Sequence, residues 1–419
     1  MVGVDKLKKK KKQAKNNKKF NLKRQKNTFN LIEVVIIMII TALVSLIIGI
    51  IGTYFFSNNR VQINNKNIKQ LVSVYDELVE NYYGELDDEE LLESGIEGMI
   101  NYLDDPYSTY FDSSISEEFN EMLEGEYIGL GAEISMNLNT KVLTVTKVLD
   151  NSPAKRSGLK IKDVIIEVAG KKVAELELDE ITNIIKNGEI GTTVELKVIR
   201  EKAEVIIEFE RGIIEHTSVF GEVVEQDGKK IGLVTINVFA KNSHKQFERV
   251  INSLKEQNIE GLILDIRNNS GGYLTAVKSI ANMFLDKKDV IFIIKDKNGE
   301  EKQLSNKKKE IEIPTVLLIN GGSASASEIL AAALNENLGV ELVGLNTYGK
   351  GTVQTTKTLS SGAIVKYTIQ EWLTPSGKNI DKDGIAPTIE IELNESYYDN
   401  PTMENDNQLQ KAIEILLNK

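Results

Sequence analysis

The spacing of apolar positions changes several times along this chain, and each change marks a different kind of element. Residues 34–56 form one uncharged run of 23 residues, VVIIMIITALVSLIIGIIGTYFF. A helix rises 1.5 Å per residue, so about 20 such residues cross a hydrocarbon core ~30 Å thick. No polar stripe interrupts the run, as it would in a helix half-covered by a soluble core. It exceeds a signal-peptide core in length, and the SNNR that follows offers no small-x-small cleavage site. A retained transmembrane anchor is therefore expected within residues 29–57.

Beyond it, IKQLVSVYDELVENYY places Ile68, Leu71, Val72, Tyr75, Leu78 and Val79 at three- and four-residue spacing, which predicts an amphipathic helix. DDEELLESGIEGMINYL opens with acids suited to a helix N-terminus and stops at Asp104-Asp105-Pro106. Residues 62–126 thus read as an N-terminal helical region. Over residues 127–211 the pattern turns strand-like in AEISM, KVLTVTKV, DVIIEVAG and TVELKVIRE, with one helical stretch, LDEITNIIKN. From residue 231 to 398, apolar strands such as IGLVTINVF, GLILDIR and PTVLLI alternate with helical segments. That alternation predicts an α/β sheet covered by helices, with ligand sites at the carboxyl ends of strands. Residues 399–419 end in a short closing helix. There are no internal repeats, and the basic N-terminus is the one low-complexity segment.

Charge orients this layout. Residues 1–28 hold twelve Lys or Arg against one acid, whereas residues 57–419 hold 39 basic and 60 acidic side chains. Positive residues stay cytoplasmic, which gives a cell-membrane protein with residues 1–28 as a cytoplasmic tail and everything after residue 57 outside. The acidic exterior part repels nucleic acid, so no nucleic-acid partner is expected. The chain has no cysteine, which excludes disulfides, thiolate catalysis and cysteine-based metal sites. Of its two histidines, His216 lies in the segment leaving the strand-rich module and His244 opens an amphipathic helix, and neither G-x-S-x-G nor H-E-x-x-H is present. A Ser-His-Asp triad and a histidine metal site are both disfavoured, and no cofactor is expected.

Three segments carry candidate chemistry. In GGSASASEI, residues 321–329, a Gly-rich turn leads from a strand into a helix. A serine there stands at the positive end of the helix, and the Ala326 amide can stabilise an oxyanion. The bland alternative for its three serines is capping or packing. In TYGKGTVQ, residues 347–354, an isolated lysine lies between glycines. If this segment is extended, Lys350, Thr352 and Gln354 share one face. Lys350 can act as a base only when neutral, so burial must lower its pKa; Gln354 can orient the amine without adding charge, whereas an acid partner would keep it protonated. DIRNNSGG, residues 265–272, is another strand-to-helix turn whose glycine amides can supply a second oxyanion donor; its plain reading is a turn.

Together with LDDPYSTYF and LTPSGKNI…GIAPTIEI, these segments closely resemble the carboxyl-terminal processing proteases, a Ser/Lys peptidase family of tail-specific enzymes (peptidase family S41). The resemblance runs from about residue 65 to the end. It implies a PDZ domain at 127–211 and a ClpP/crotonase-like catalytic core at 212–398, in an α/β (α+β multidomain) chain with a helical cap region and an N-terminal membrane helix. It also implies Ser325 as nucleophile, Lys350 as base, Gln354 as its orienting partner, and the amides of Gly271 and Ala326 as oxyanion donors. The loop Gly129-Leu130-Gly131-Ala132 stands where a PDZ domain binds a terminal carboxylate, next to an edge strand able to accept a peptide. Two positions depart from the usual pattern: Ser270 replaces proline or glycine, and Gly321 replaces glutamate. The expected partners are protein substrates held by their C-terminal tails, the membrane, and a second copy of the chain through the terminal helical regions. The rival expectation is a membrane-tethered PDZ scaffold that binds C-termini without cutting them.

Overall fold

The computed structural model describes residues 66–112 and 121–419, so the expected cytoplasmic tail and anchor fall outside the described residues. Among the described residues no helix is long and apolar enough to cross a membrane. The chain divides into two compact units, one ending at Leu92 and one from Glu93 to Lys419. In the first, α1 (Lys66–Asn81) carries the predicted apolar stripe. Helix α2 (Asp88–Asn101) starts where the Asp87 carboxylate accepts the Glu89 and Glu90 amides, satisfying donors that a helix N-terminus leaves free.

Residues 62–126 are not helical throughout. Thr109–Phe111 forms a short strand, β1, paired antiparallel with residues 364–366. The β-branched and aromatic TYF follows the Asp-Asp-Pro turn and finds a sheet edge, which local periodicity does not reveal.

The next module is a strand-rich domain. β2 (Glu126–Gly129) pairs with β9 (Gly212–Glu215). β3 (Ala132–Asn137), β4 (Val142–Val148), β5 (Val164–Val168), β7 (Thr193–Arg200) and β8 (Ala203–Glu210) lie in that order in one antiparallel sheet, with β6 (Lys171–Lys172) beside β5. Alternate residues of these strands, Leu143 and Val145 on β4 and Val194, Leu196 and Val198 on β7, point inward. There they meet Ile181 and Ile185 of α4 (Leu178–Lys186), which follows the single-turn α3 (Pro153–Arg156).

The remaining chain builds two further sheets. In the first, β10 (Val219–Gln226), β11 (Lys229–Ile236), β12 (Gly261–Asp265), β15 (Thr315–Ile319), β16 (Glu341–Gly344) and β19 (Ile389–Glu390) lie side by side, parallel from β11 onward. Both faces are covered. Leu317 and Ile319 of β15 pack towards α5 (Ser243–Glu256), α6 (Leu274–Phe284) and α7 (Ala326–Leu338). Val316 and Leu318 pack on α9 (Asn407–Leu417), which follows the short α8 (Glu395–Asp399). Burial on two faces explains why these strands read as continuous apolar runs rather than alternating ones.

The second sheet is antiparallel and corrects the expectation of a single helix-covered sheet. β18 (Ile364–Leu373) lies between β1 and β13 (Val290–Asp296), β14 (Gly299–Leu304) flanks β13, and β17 (Thr352–Thr358) also pairs with β18. Its strands carry alternating polar residues, as suits a sheet with one accessible face.

Candidate active site

A cavity of ≈ 500 Å³ opens where the two sheets meet, and Ser270, Gly271, Gly272, Ser325, Lys350 and Gln354 all line it. Its first wall lies beyond the carboxyl ends of β12 and β15, where parallel sheets bind ligands.

The serine run separates into distinct roles. Ser323 and Ser327 are fully buried, and their hydroxyls donate to the Ile266 and Asn269 carbonyls, each at 2.8 Å. They fasten this turn to the 266–272 turn. Ser325 alone of the three reaches the cavity. It immediately precedes α7 and has φ 55° and ψ −111°, a conformation that costs a non-glycine residue of order 1–3 kcal/mol and persists only where surrounding contacts impose it.

Glu328, fully buried one turn into α7, imposes much of that geometry. Its Oε2 accepts the amides of Ser325 at 2.7 Å and Lys350 at 3.0 Å. Its Oε1 accepts the Thr347 hydroxyl at 2.6 Å and the Gly349 amide at 2.7 Å. One carboxyl group thereby clamps the Ser325 turn to the Lys350 loop. Sequence reasoning missed it; the available signal was a lone acid in a first helical turn otherwise made of small and apolar residues.

The glycines flanking Lys350 allow close packing. A Cβ on Gly349, whose φ is +89°, would come within 2.9 Å of the main chain at Lys382 and Gly384, and one on Gly351 within 2.9 Å of the Asp381 amide. Beneath the loop, fully buried Trp372 donates its indole N–H to the Lys350 carbonyl at 2.7 Å. The side chain of Lys350 is half-buried, with Nζ 4.9 Å from the centre of the Tyr107 ring. Burial pushes its amine down from 10.5 to about 8; the neighbouring charge of Lys366 acts in the same direction, against the pull of Asp105 and Glu328.

Two expected contacts are arranged differently. Gln354 does not orient the amine: its Nε2 donates to the hydroxyls of Thr352 at 2.9 Å and Thr368 at 3.0 Å. Thr368 in turn donates to Asp105 at 2.6 Å. Asp105 also accepts from Ser108 and from the Tyr107 amide. Although burial pushes the Asp105 carboxyl up, those hydrogen bonds and Lys350 hold it below the usual carboxylate range. Lys350, Thr352 and Gln354 do line one cavity, as alternation predicts, but the Thr352 and Thr368 hydroxyls engage the Gln354 amide in place of Lys350.

The Gly271 amide is likewise engaged, donating to buried Asn269 at 2.8 Å. It is therefore not a free donor to the cavity in this arrangement. Gly271 still requires its φ of +108°, since a Cβ there would sit 2.9 Å from the Ser325 Cβ and 3.1 Å from the Ala326 amide nitrogen. Among the described residues no hydrogen bond joins the Ser325 hydroxyl to Lys350, although both face one cavity. His216 and His244 do not line it, and among the described residues no cluster of three or more His, Asp or Glu is arranged to hold a metal ion.

In the strand-rich module, Gly129 ends β2, Leu130 is buried, Gly131 has φ +76° and Ala132 opens β3. A Cβ on Gly131 would collide with Ser152. β3 is the edge of its sheet among the described residues, so its outer side is available to an added strand.

The α/β core that holds the cavity and the strand-rich module before it each match a known family. Residues 230–391 match the model of peptidase family S41, residues 129–210 a PDZ domain, and residues 53–115 the N-terminal domain of the activating protease CtpB. The carboxy-terminal processing protease CtpA of Bacillus subtilis is 36% identical over 326 residues, covering 77% of this chain and 69% of its own. CtpB of the same organism is 35% identical over 349 residues, covering 82% and 70%. Among solved structures, the photosystem II D1 C-terminal processing protease is 26% identical, with a TM-score of 0.43, over 77% of this chain and 86% of that one. The chain belongs to peptidase family S41, among its PDZ-bearing carboxy-terminal processing proteases, and is a serine-type protease.

Proposed function

We propose that this protease is a membrane-anchored, extracytoplasmic endopeptidase in which Ser325 is the nucleophile and Lys350 the general base. One observation carries the reading: a lysine amine pushed down to about 8 by burial lines the same cavity as a conformationally constrained serine at a helix N-terminus. At pH 7 roughly a tenth of such amines are free base, against roughly three in ten thousand at the ordinary value.

Lys350 Nζ takes the Ser325 hydroxyl proton as Oγ bonds to the substrate's carbonyl carbon. The lysine then passes that proton to the departing amine nitrogen as the peptide bond breaks, leaving an ester on Ser325. Water attacks the ester, its proton goes to Lys350, and the proton returns to Ser325 as the new carboxylic acid leaves. The oxyanion is stabilised by the Ala326 amide and by Gly271 once its amide turns from Asn269 into the cavity. Lys350 must also close to hydrogen-bond range of Ser325, a tightening common between resting and substrate-bound sites. Gln354, released from Thr368, would then steady the amine.

The PDZ domain, through residues 129–132 and the β3 edge, binds substrate C-termini. Residues 29–57 anchor the chain with its N-terminus in the cytoplasm, and the terminal helical regions pair two copies; the uncharged 23-residue run and the basic tail before it support the orientation.

The full-length chain, incubated with an unstructured protein, should cleave it, and Ser325→Ala should still bind its tail without cutting. Equal tail binding and no cleavage in both forms would favour the scaffold reading. Protease added to intact cells should digest the 66–419 region; protection there would overturn the proposed orientation.

A further inference from the structure

The cavity wall opposite Ser325 holds a second lysine to which the reaction just described gives no task. Lys366 lies on β18, where Thr356 of β17 is its partner on one side and Thr109 of β1 on the other. Two residues along, Thr368 is paired with Gln354. Strand side chains alternate, so Lys366 and Thr368 stand on the same face, and both Lys366 and Gln354 line the cavity with Lys350. No Asp or Glu is among the lining residues. Lys366 is half-buried, with Nζ 5.7 Å from the Phe111 ring centre.

We propose, resting on the Ser325/Lys350 reading, that Lys366 is a positioning charge: its ammonium, fixed on the wall of the cavity, drives the proton off Lys350 and so prepares the base. Two half-buried ammonium groups beside one cavity repel each other, and the pair relieves this by one of them releasing its proton. The Ser325/Lys350 reading makes Lys350 the one that does so. Lys350 faces Asp105 and the Tyr107 ring from the 103–108 loop, Glu328 from α7 and Lys366 from β18. Glu328 spends all four of its hydrogen bonds on the Ser325 and Lys350 amides, the Thr347 hydroxyl and the Gly349 amide. Burial lowers both amines, and Asp105, held ionised by its hydrogen bonds, acts against the shift of both. Lys350 sits on the loop that Glu328 joins to the Ser325 turn, so its proton is the one whose release serves the reaction. Asp105, which acts on both lysines, lies two residues before Tyr107 in the LDDPYSTYF motif and gives that motif a part in the electrostatics of the site.

The test is the rising limb of kcat/KM against pH for cleavage of an unstructured protein by the full-length chain. Lys366→Met should move the limb's midpoint up by about one pH unit, lowering kcat/KM at pH 7 about tenfold. Lys366→Arg, which keeps the charge, should leave the midpoint within a few tenths of a unit of the wild type. A midpoint unmoved by Lys366→Met, or moved equally by Met and Arg, overturns the proposal. If Lys366→Met does not fold, Lys366→Gln supplies the neutral comparison. Cleavage that survives Lys350→Ala would sink the Ser/Lys reading itself, whatever the Lys366 variants do.

Discussion

The two walls of the cavity are built in opposite ways. The Ser325 wall is a matter of main-chain geometry. Its turn is tied by Ser323, Ser327 and Ala324 to the 266–269 turn and by Glu328 to the Lys350 loop, and Ser325 is forced to a positive φ. The Lys350 wall is a matter of charge. The Lys350 loop, β17 and β18 present threonines, a glutamine and two lysines, with Asp105 and Tyr107 approaching from the 103–108 loop. A nucleophile needs position, and rigid turns at strand ends supply it. A lysine base needs an altered proton affinity, which depends on every group around it rather than on its own loop.

Removing either proposed reactant breaks the comparison outright. Ser325→Ala and Lys350→Ala should each lower turnover by roughly 10³-fold or more, and the double variant should be little worse than either single one. Unchanged melting temperatures would show that the loss is chemical. Next comes the clamp between the walls. Glu328→Gln turns one of two accepting oxygens into an amide group that faces N–H or O–H donors, so the urea midpoint should report about 2–3 kcal/mol of lost stability. Turnover should fall by about 10²-fold, because Ser325 and Lys350 lose their common brace. Full activity in that variant would mean that the two loops hold their places independently.

The charge of the second wall is read in the pH profile. A base at about 8 acts when neutral, so kcat/KM should climb tenfold per pH unit below that value and level off above it. A midpoint near 6.5 would point to a histidine instead. The smallest effect is expected at Thr368→Val, which removes the link between Gln354 and Asp105. Turnover should change only a few-fold, measured against an unchanged urea midpoint within about 1 kcal/mol.

Much of this layout was legible in the residues. The continuous apolar runs GLILD and TVLLI mark strands buried on both faces, and the Gly-rich turns after them mark where a site can form. The alternation in TVELKVIR marks a strand with one inward face. Four features were not legible. The TYF strand forms by pairing with residues more than 250 positions away, and the split into two sheets depends on which edges meet. The Gln354 amide is taken by two hydroxyls, one of them Thr368 on the neighbouring strand, and the Gly271 amide is taken by a buried asparagine two residues earlier.

The chain's own pattern determined that residues 34–56 are uncharged throughout, that a strand-rich module precedes an α/β core, and that a small-residue turn and an isolated lysine are where hydrolytic chemistry can reside. Those properties follow from spacing and residue type, which act locally. Only the tertiary structure decided which of three serines faces the cavity, that Glu328 joins its two loops, and that Lys366 and Asp105 share the space around Lys350. Burial and charge are set by what the rest of the chain brings near, and residues distant in sequence become neighbours only through folding.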